Sequence, residues 1–359
     1  MAMNHRHFTF AIAASALVLG LAAPAKAQTD PASIAKGYKA PRNVFGQPDV
    51  SGVWSNATIT RLERDPKYGE RLQLTPDEAK AIEGASDTRN ARLRANTDTS
   101  IKDPDKLPEC QSGAQGAACG YNAFWTDPGT RLVRIGGVAR TSILTAPSNG
   151  RLPTTGAAAA GRARAQLGGN FDGPERRALG ERCIVGFGGT SGPPMLPVLY
   201  NNHYQIQQTR DAVVIVVEMV HDARIVRLAD PKHPPANLRL WMGDSIGRWE
   251  GDTLVVETTN LRREEGLRGH TEDMRTIERF TRVSPQQILY QFEIIDPSAF
   301  SAPVKGEEAL NFTKDKIYEY ACHEGNYAMT GILAGARQAE KDGKAIEGNR
   351  GRVTEEGGT

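Results

Sequence analysis

The residues of this chain best suited to moving protons are histidines set beside acids near the ends of β-rich runs. Val220-His221-Asp222, Gly269-His270-Thr271-Glu272 and Cys322-His323-Glu324 each put an imidazole next to a carboxylate, and His is the side chain whose ordinary pKa lies nearest neutral pH. His203 makes a fourth at a strand end, whereas His233 sits in the turn Lys232-His233-Pro234-Pro235 and reads as solvated. Alternation adds carboxylates. One face of Val213 to Val220 carries Val214, Val216 and Glu218, and one face of Thr253 to Thr259 carries Thr253, Val255, Glu257 and Thr259. Glu278, Glu293 and Glu319 occupy comparable places. Facing a lumen, such groups act as acid or base or hold a polar ligand. Facing solvent, they are the polar side of a sheet, with Arg224, Arg248, Arg275 and Arg279 available to pair them. His270, His323 and Glu218 are the expected proton-transfer residues.

The densest stretch runs from Trp241 to Glu257, where two tryptophans, Trp241 and Trp249, flank a tight polar turn. It reads in two ways: a pair of ring anchors with Asp244 and Arg248 bridging backbone, or an aromatic pocket wall with a charged gate. On the second reading Arg248 meets an anionic or carbonyl oxygen, Trp241 and Tyr327 form the wall, and His221 and Asp244 add polar contacts. His221, His270, His323 and a nearby Glu would make a metal site only if the strand ends converged, and no H-E-x-x-H pair supports one, so neither metal nor other cofactor is expected. No phosphate loop or dinucleotide fingerprint occurs.

These residues need a β scaffold. Short β-branched runs at 203–209, 212–220, 223–229, 253–259, 274–282, 287–295 and 316–321 are separated by turn residues, which predicts an antiparallel sandwich or barrel with hairpins at Arg210-Asp211, Glu250-Gly251-Asp252 and Ser284-Pro285. Before them, Pro48 to Trp54 reads as a turn feeding a strand, Leu132 to Thr145 as strand, and Gly186 to Pro197 as a Gly/Pro loop of the kind that lines pockets. Thr75-Pro76-Asp77-Glu78 combines an N-cap, Pro at the first helical position and a carboxylate three residues on, so a helix starts there. A short helix is expected from Pro174 to Arg182, and the spacing of Tyr327, Ile332, Leu333 and Ala336 predicts a final helix over 326–341.

At the N-terminus Arg6, an apolar run from Phe8 to Leu21 and Ala25-Lys26-Ala27 make a signal peptide, residues 1–27, too short in its core for the roughly 20 apolar residues of a spanning helix. The expected mature protein is periplasmic or secreted and has no membrane anchor: a polar segment over 28–47, one β-rich domain over 48–341 and a disordered tail over 342–359. Lys+Arg 44 against Asp+Glu 42 argues against nucleic acid and leaves a small molecule as the expected partner, with oligomeric state open. The four cysteines, Cys110, Cys119, Cys183 and Cys322, suit disulfides in an oxidising compartment. Of three pairings, Cys110 with Cys119 across a short flexible segment is favoured, leaving Cys183 with Cys322.

The segment Gly243-Asp244-Ser245-Ile246-Gly247-Arg248-Trp249-Glu250-Gly251-Asp252-Thr253-Leu254-Val255-Val256-Glu257-Thr258, with Glu278-Arg279-Phe280-Thr281-Arg282 and Tyr318-Glu319-Tyr320-Ala321-Cys322-His323-Glu324-Gly325-Asn326-Tyr327, resembles a large family of uncharacterised exported bacterial proteins, from Pro48 to about Glu340. That resemblance brings no reaction and no residue roles. Gly52-Val53-Trp54 is similar to the Gly-X-Trp opening of lipocalin-like barrels, which implies a barrel with a central ligand cavity. The expectation is a mainly β protein, an antiparallel barrel or curved sheet with a few peripheral helices and a C-terminal helix. Two functions fit it: an enzyme using acid-base chemistry on a small organic molecule, as a lyase, isomerase or hydrolase, or a carrier with the same cavity and no chemistry. Convergence of two titratable groups on one point separates them.

Overall fold

A computed structural model describes residues 38–95, 127, 129–156, 158, 171–186, 192–199, 201–230, 232–262, 271–324 and 326–343. Residues 1–27, expected to be a signal peptide, Cys110 and Cys119, His270 and residues 344–359 lie outside them. Among the described residues there are twelve strands: β1 (Gly52–Ser55), β2 (Arg134–Ile135), β3 (Val138–Ala139), β4 (Leu144–Ala146), β5 (His203–Gln208), β6 (Ala212–Val217), β7 (Ala223–Arg227), β8 (Asp244–Glu250), β9 (Thr253–Thr259), β10 (Arg275–Ser284), β11 (Gln287–Ile295) and β12 (Val304–Phe312). Nine of them, in the order β1-β5-β6-β7-β8-β9-β10-β11-β12, close into a barrel when β12 returns to β1. The expected barrel is therefore what forms, and the three expected hairpins join β5 to β6, β8 to β9 and β10 to β11.

An odd ring cannot alternate direction throughout. The one parallel joint is β7 to β8, where Val226 faces Ser245 and Arg227 faces Ile246, and 228–243 crosses the barrel lengthwise to make it. Asn260 clamps that crossing through its amide to the carbonyls of Pro234, Pro235 and Leu238. The closing joint is equally short, with Trp54 opposite Phe312 and Ser55 opposite Asn311. The ring is thus two antiparallel sheets, β1-β5-β6-β7 and β8 to β12, meeting at two brief seams. Where β1 stops, β4 pairs instead with Lys305 and Gly306 of β12.

Pleating decides what fills the ring. Val213, Ile215 and Val217 of β6, Leu254 and Val256 of β9, and Ile288, Tyr290, Phe292 and Ile294 of β11 turn inward and are buried. The inward row of β12 includes Gly306, directly opposite Phe292, whose ring fills the space that a Cβ would need. Trp54 is fully buried at the start of the wall and donates its indole N–H to the Val50 carbonyl at 3.0 Å.

Among the described residues, two α-helices lie outside the barrel. α1 (Pro76–Ala95) begins as expected, the Glu78 N–H donating to Thr75 Oγ1 and the Thr75 N–H to Glu78 Oε2. It covers a small cluster of Ile59, Leu74, Ala79, Leu132 and Ala139. α2 (Ala328–Lys341) buries only Ala336 fully, and Cys183–Cys322 bonds the segment before it to the barrel's approach. Three local expectations need correction. Residues 316–321 are not a strand, since β12 already completes the ring and none of the described strands pairs with them; β8 and β12 were missed; and the 174–182 helix is only a 3-10 turn over Pro174–Arg176.

Candidate functional site

Call the top of the barrel the end at which β5, β7, β8, β10 and β12 start. There the inward row changes from apolar to polar. Arg224 of β7 reaches across to Glu278 of β10 with both terminal nitrogens, Nη1 to Oε1 at 3.0 Å and Nη2 to Oε2 at 2.5 Å, and both side chains are fully buried. Tyr290 donates its hydroxyl to Glu278 Oε1 at 2.7 Å, and Arg224 Nη2 approaches Thr258 Oγ1, itself 2.8 Å from Ser245 Oγ. On the other side Asn56, just past β1, offers its amide N–H groups to Glu308 Oε2 at 3.3 Å, Tyr204 Oη at 3.4 Å and the Met195 carbonyl at 3.5 Å. The Arg224–Glu278 and Asn56–Glu308 contacts tie one sheet, or its extension, to the other, whereas Tyr290–Glu278, Ser245–Thr258 and Asn56–Tyr204 join neighbouring strands.

The segment Gly192–Leu196 lies over this layer. Met195 is fully buried, and its N–H donates to Tyr290 Oη at 2.9 Å. Gly192 has φ +70, and a Cβ there would crowd Arg224 Nη1 and the Met195 side chain, so the close approach requires glycine.

Burial shapes the titration of the layer. It raises Glu308 well above the ordinary carboxylate range, with the Asn56 hydrogen bond a partial offset, so Glu308 keeps its proton to higher pH than an exposed carboxylate does. Burial, then the Glu278 charge, raises Tyr290, and burial, then the Glu308 charge, raises Tyr204. For Arg224 burial acts to lower the pKa and Glu278 overcomes it, so the guanidinium stays charged. Among the described residues, three buried polar atoms of the layer have no hydrogen-bond partner: Asn56 Oδ1, Glu308 Oε1 and Arg224 Nε. Buried polar atoms are paired in the great majority of cases, so unpaired atoms on Asn56, Glu308 and Arg224, which share this network, are unusual.

Of the expected proton-transfer residues, Glu218 is buried but not in the lumen. Val213, Ile215 and Val217 take the inward face of β6, so Val214, Val216 and Glu218 share the outer one. There Glu218 accepts from Tyr318 N–H at 3.1 Å and lies 2.9 Å from His203 Nδ1. Burial pulls His203 down, but the Glu218 hydrogen bond and charge, with Asp127 and Asp315, more than reverse it, and the imidazole titrates above its ordinary value. Val220, in the connection to β7, is left-handed at φ 60, a costly conformation for a β-branched residue. His323 is exposed, and no hydrogen bond or ion pair joins it to Glu218 among the described residues.

The expected binding residues are dispersed. Arg248 is exposed on β8 and pairs with Glu250; Tyr327 is 82% exposed; Trp241 is half-buried under the Arg262 guanidinium, 4.1 Å from its ring centre. Asp244 is held by Arg227 and by His233, each at 2.7 Å, so His233 is a paired residue and not a solvated one. His221 lies in the 3-10 turn Met219–His221 between β6 and β7. Glu257 and Glu293 face outward near Arg275 and Lys305.

Asn56, Tyr204, Tyr290 and Glu308 were not among the expected site residues. The signal available for Tyr290 and Glu278 was in-phase alternation along β10 and β11; for Glu308 there was none, because Lys305-Gly306-Glu307-Glu308-Ala309 lacks strand character. Among the described residues no group of three His, Cys, Asp or Glu is arranged to hold a metal ion. A scan against protein-family models, a search of curated proteins and a search of solved structures each returned no match, so the chemistry of the site rests on its own geometry.

Proposed function

We propose that this chain is an exported protein that binds a small organic molecule at the top of its barrel lumen. One observation carries the reading: a buried polar layer, closed over by Gly192–Leu196, in which Asn56 Oδ1, Glu308 Oε1 and Arg224 Nε have no hydrogen-bond partner among the described residues. Leaving such atoms unpaired costs about 1 to 3 kcal/mol each, a cost that folding alone gives no reason to keep. Export is supported by the basic, apolar and small-residue order of residues 1–27 and by the Cys183–Cys322 bridge. Binding takes precedence over acid-base catalysis because Arg224 and Glu278 neutralise each other, and the half-buried His203–Glu218 pair sits on the outer face of the wall.

A metabolite panel screened by thermal shift on the chain lacking residues 1–27 tests the proposal. A subset of compounds should raise the melting temperature, and Asn56→Ala should abolish that rise for every one of them. Stabilising compounds that act equally on Asn56→Ala, or a panel with no stabilising member, would place binding elsewhere or nowhere.

A further inference from the structure

We infer that the lumen site selects an uncharged amide or alcohol group on an apolar body, and that Met195 of this chain occupies the site as an internal stand-in for such a ligand. The inference rests on the binding reading above and adds the chemistry of what is bound.

The argument starts from charge. Arg224 and Glu278 cancel within a bidentate contact, and Glu308 has only the Asn56 amide beside it. A carboxylate brought into this layer finds no free cation and an ammonium finds only Glu308, whose protonated form burial favours, and an unpaired ion in a buried site is far more costly than a neutral polar group. The unpaired atoms call for mixed bonding instead. Asn56 Oδ1 accepts, Arg224 Nε donates, and a carboxylic acid at Glu308 offers both capacities. A group with one donor and one acceptor answers them, which is what an amide or hydroxyl provides.

Met195 already shows that bonding pattern. Its backbone N–H donates to Tyr290, its backbone carbonyl accepts from Asn56, and its thioether side chain is buried in the apolar core with Ile206, Phe292 and Leu310. Of the two bonds that hold Met195, the one from Asn56 is long, at 3.5 Å, and the one to Tyr290 is 2.9 Å. An outside molecule with a free amide and a flexible apolar tail repeats Met195 group by group and is not tethered to a loop. Gly192, left-handed just before the two prolines Pro193 and Pro194, sets the path by which the segment reaches the lumen.

Calorimetric titration of the chain lacking residues 1–27 with octanamide, octanoate and octylamine at neutral pH provides the test. Octanamide should bind at least about tenfold tighter than either charged homologue, and Met195→Ala, which empties the apolar part of the site, should tighten octanamide by about tenfold more. Glu308→Leu, checked for folding by circular dichroism, should erase the preference for the amide. Octanoate or octylamine binding as well as octanamide would overturn the ligand class, and unchanged affinity in Met195→Ala would overturn the stand-in role. Either failure leaves the binding reading intact if the metabolite panel still yields compounds lost in Asn56→Ala. No binding of any probe together with an empty panel would overturn both.

Discussion

Glu308 is the residue whose environment departs furthest from what its type prefers. In the unfolded chain it ionises in the ordinary carboxylate range; in the barrel burial holds its proton to much higher pH. Between those two values the folded protein carries a proton that the unfolded chain has released. Its contribution to stability is therefore greatest below the ordinary carboxylate pKa and is lost as pH rises, by about 1.4 kcal/mol per pH unit for one proton. Glu308→Gln removes this slope. In urea unfolding from about pH 5 to about pH 8, the stability of the variant should gain steadily on that of the wild type; parallel curves would mean that Glu308 is ionised inside the barrel. The sequence did not point to this residue. It pointed to Glu218, because a carboxylate in phase with Val214 and Val216 looks inward when those valines are taken as core. Here the phase is the reverse, for Val213, Ile215 and Val217 face the lumen. A run of consecutive valines gives no clue to which of its two faces is inside. His203 was visible as a strand-end histidine, but its partner was not, since Glu218 meets it only after a hairpin folds back.

Among the elements, those with local chemistry were legible and those made by closure were not. Thr75 and Glu78 cap α1 through contacts three residues apart, and the β5–β6, β8–β9 and β10–β11 hairpins follow from short turns between β-branched runs. β12 is different: Gly306, Glu307, Glu308 and Ala309 disfavour a strand, and they form one because β11 on one side and β1 and β4 on the other leave no alternative. The converse error, a strand over 316–321, came from local preference with no neighbour left to pair. α2 depends on a covalent link as much as on packing. Only Ala336 is fully buried, Arg337 donates to the Phe171 carbonyl, and Cys322 is joined to Cys183 across 139 residues of sequence. On the chain-entropy account a loop of that length contributes about 4 to 5 kcal/mol. Cys322→Ser should lower the melting temperature by roughly 10 °C, on the ordinary conversion for a chain of this size. In hydrogen exchange the loss of protection should be largest in α2 and smallest in β10 and β11; an unchanged melting temperature would make the bridge energetically idle.

At the scale of the whole molecule, the barrel class and its peripheral helices were readable from the sequence, while the number of strands and the parallel joint were not, because both are properties of how the ends meet. The two seams have a mechanical meaning. Four strands on one side and five on the other are each stitched by long hairpin registers, yet between the halves only two facing pairs bond at β7–β8 and two at β1–β12. The polar layer supplies what the seams lack, since Arg224 belongs to the smaller half and Glu278 to the larger, and Asn56 to the smaller and Glu308 to the larger. The molecule is built like a book with two narrow spines and a latch between the pages. Weakening the latch should loosen the binding: in Glu278→Gln, amides of Arg227 and Ile246 at one seam should exchange with solvent sooner than those of β10 and β11, whose mutual register is long. A guest that bonds to both Asn56 and Arg224 would then act on the latch itself, and its grip would be felt as rigidity along the whole height of the wall.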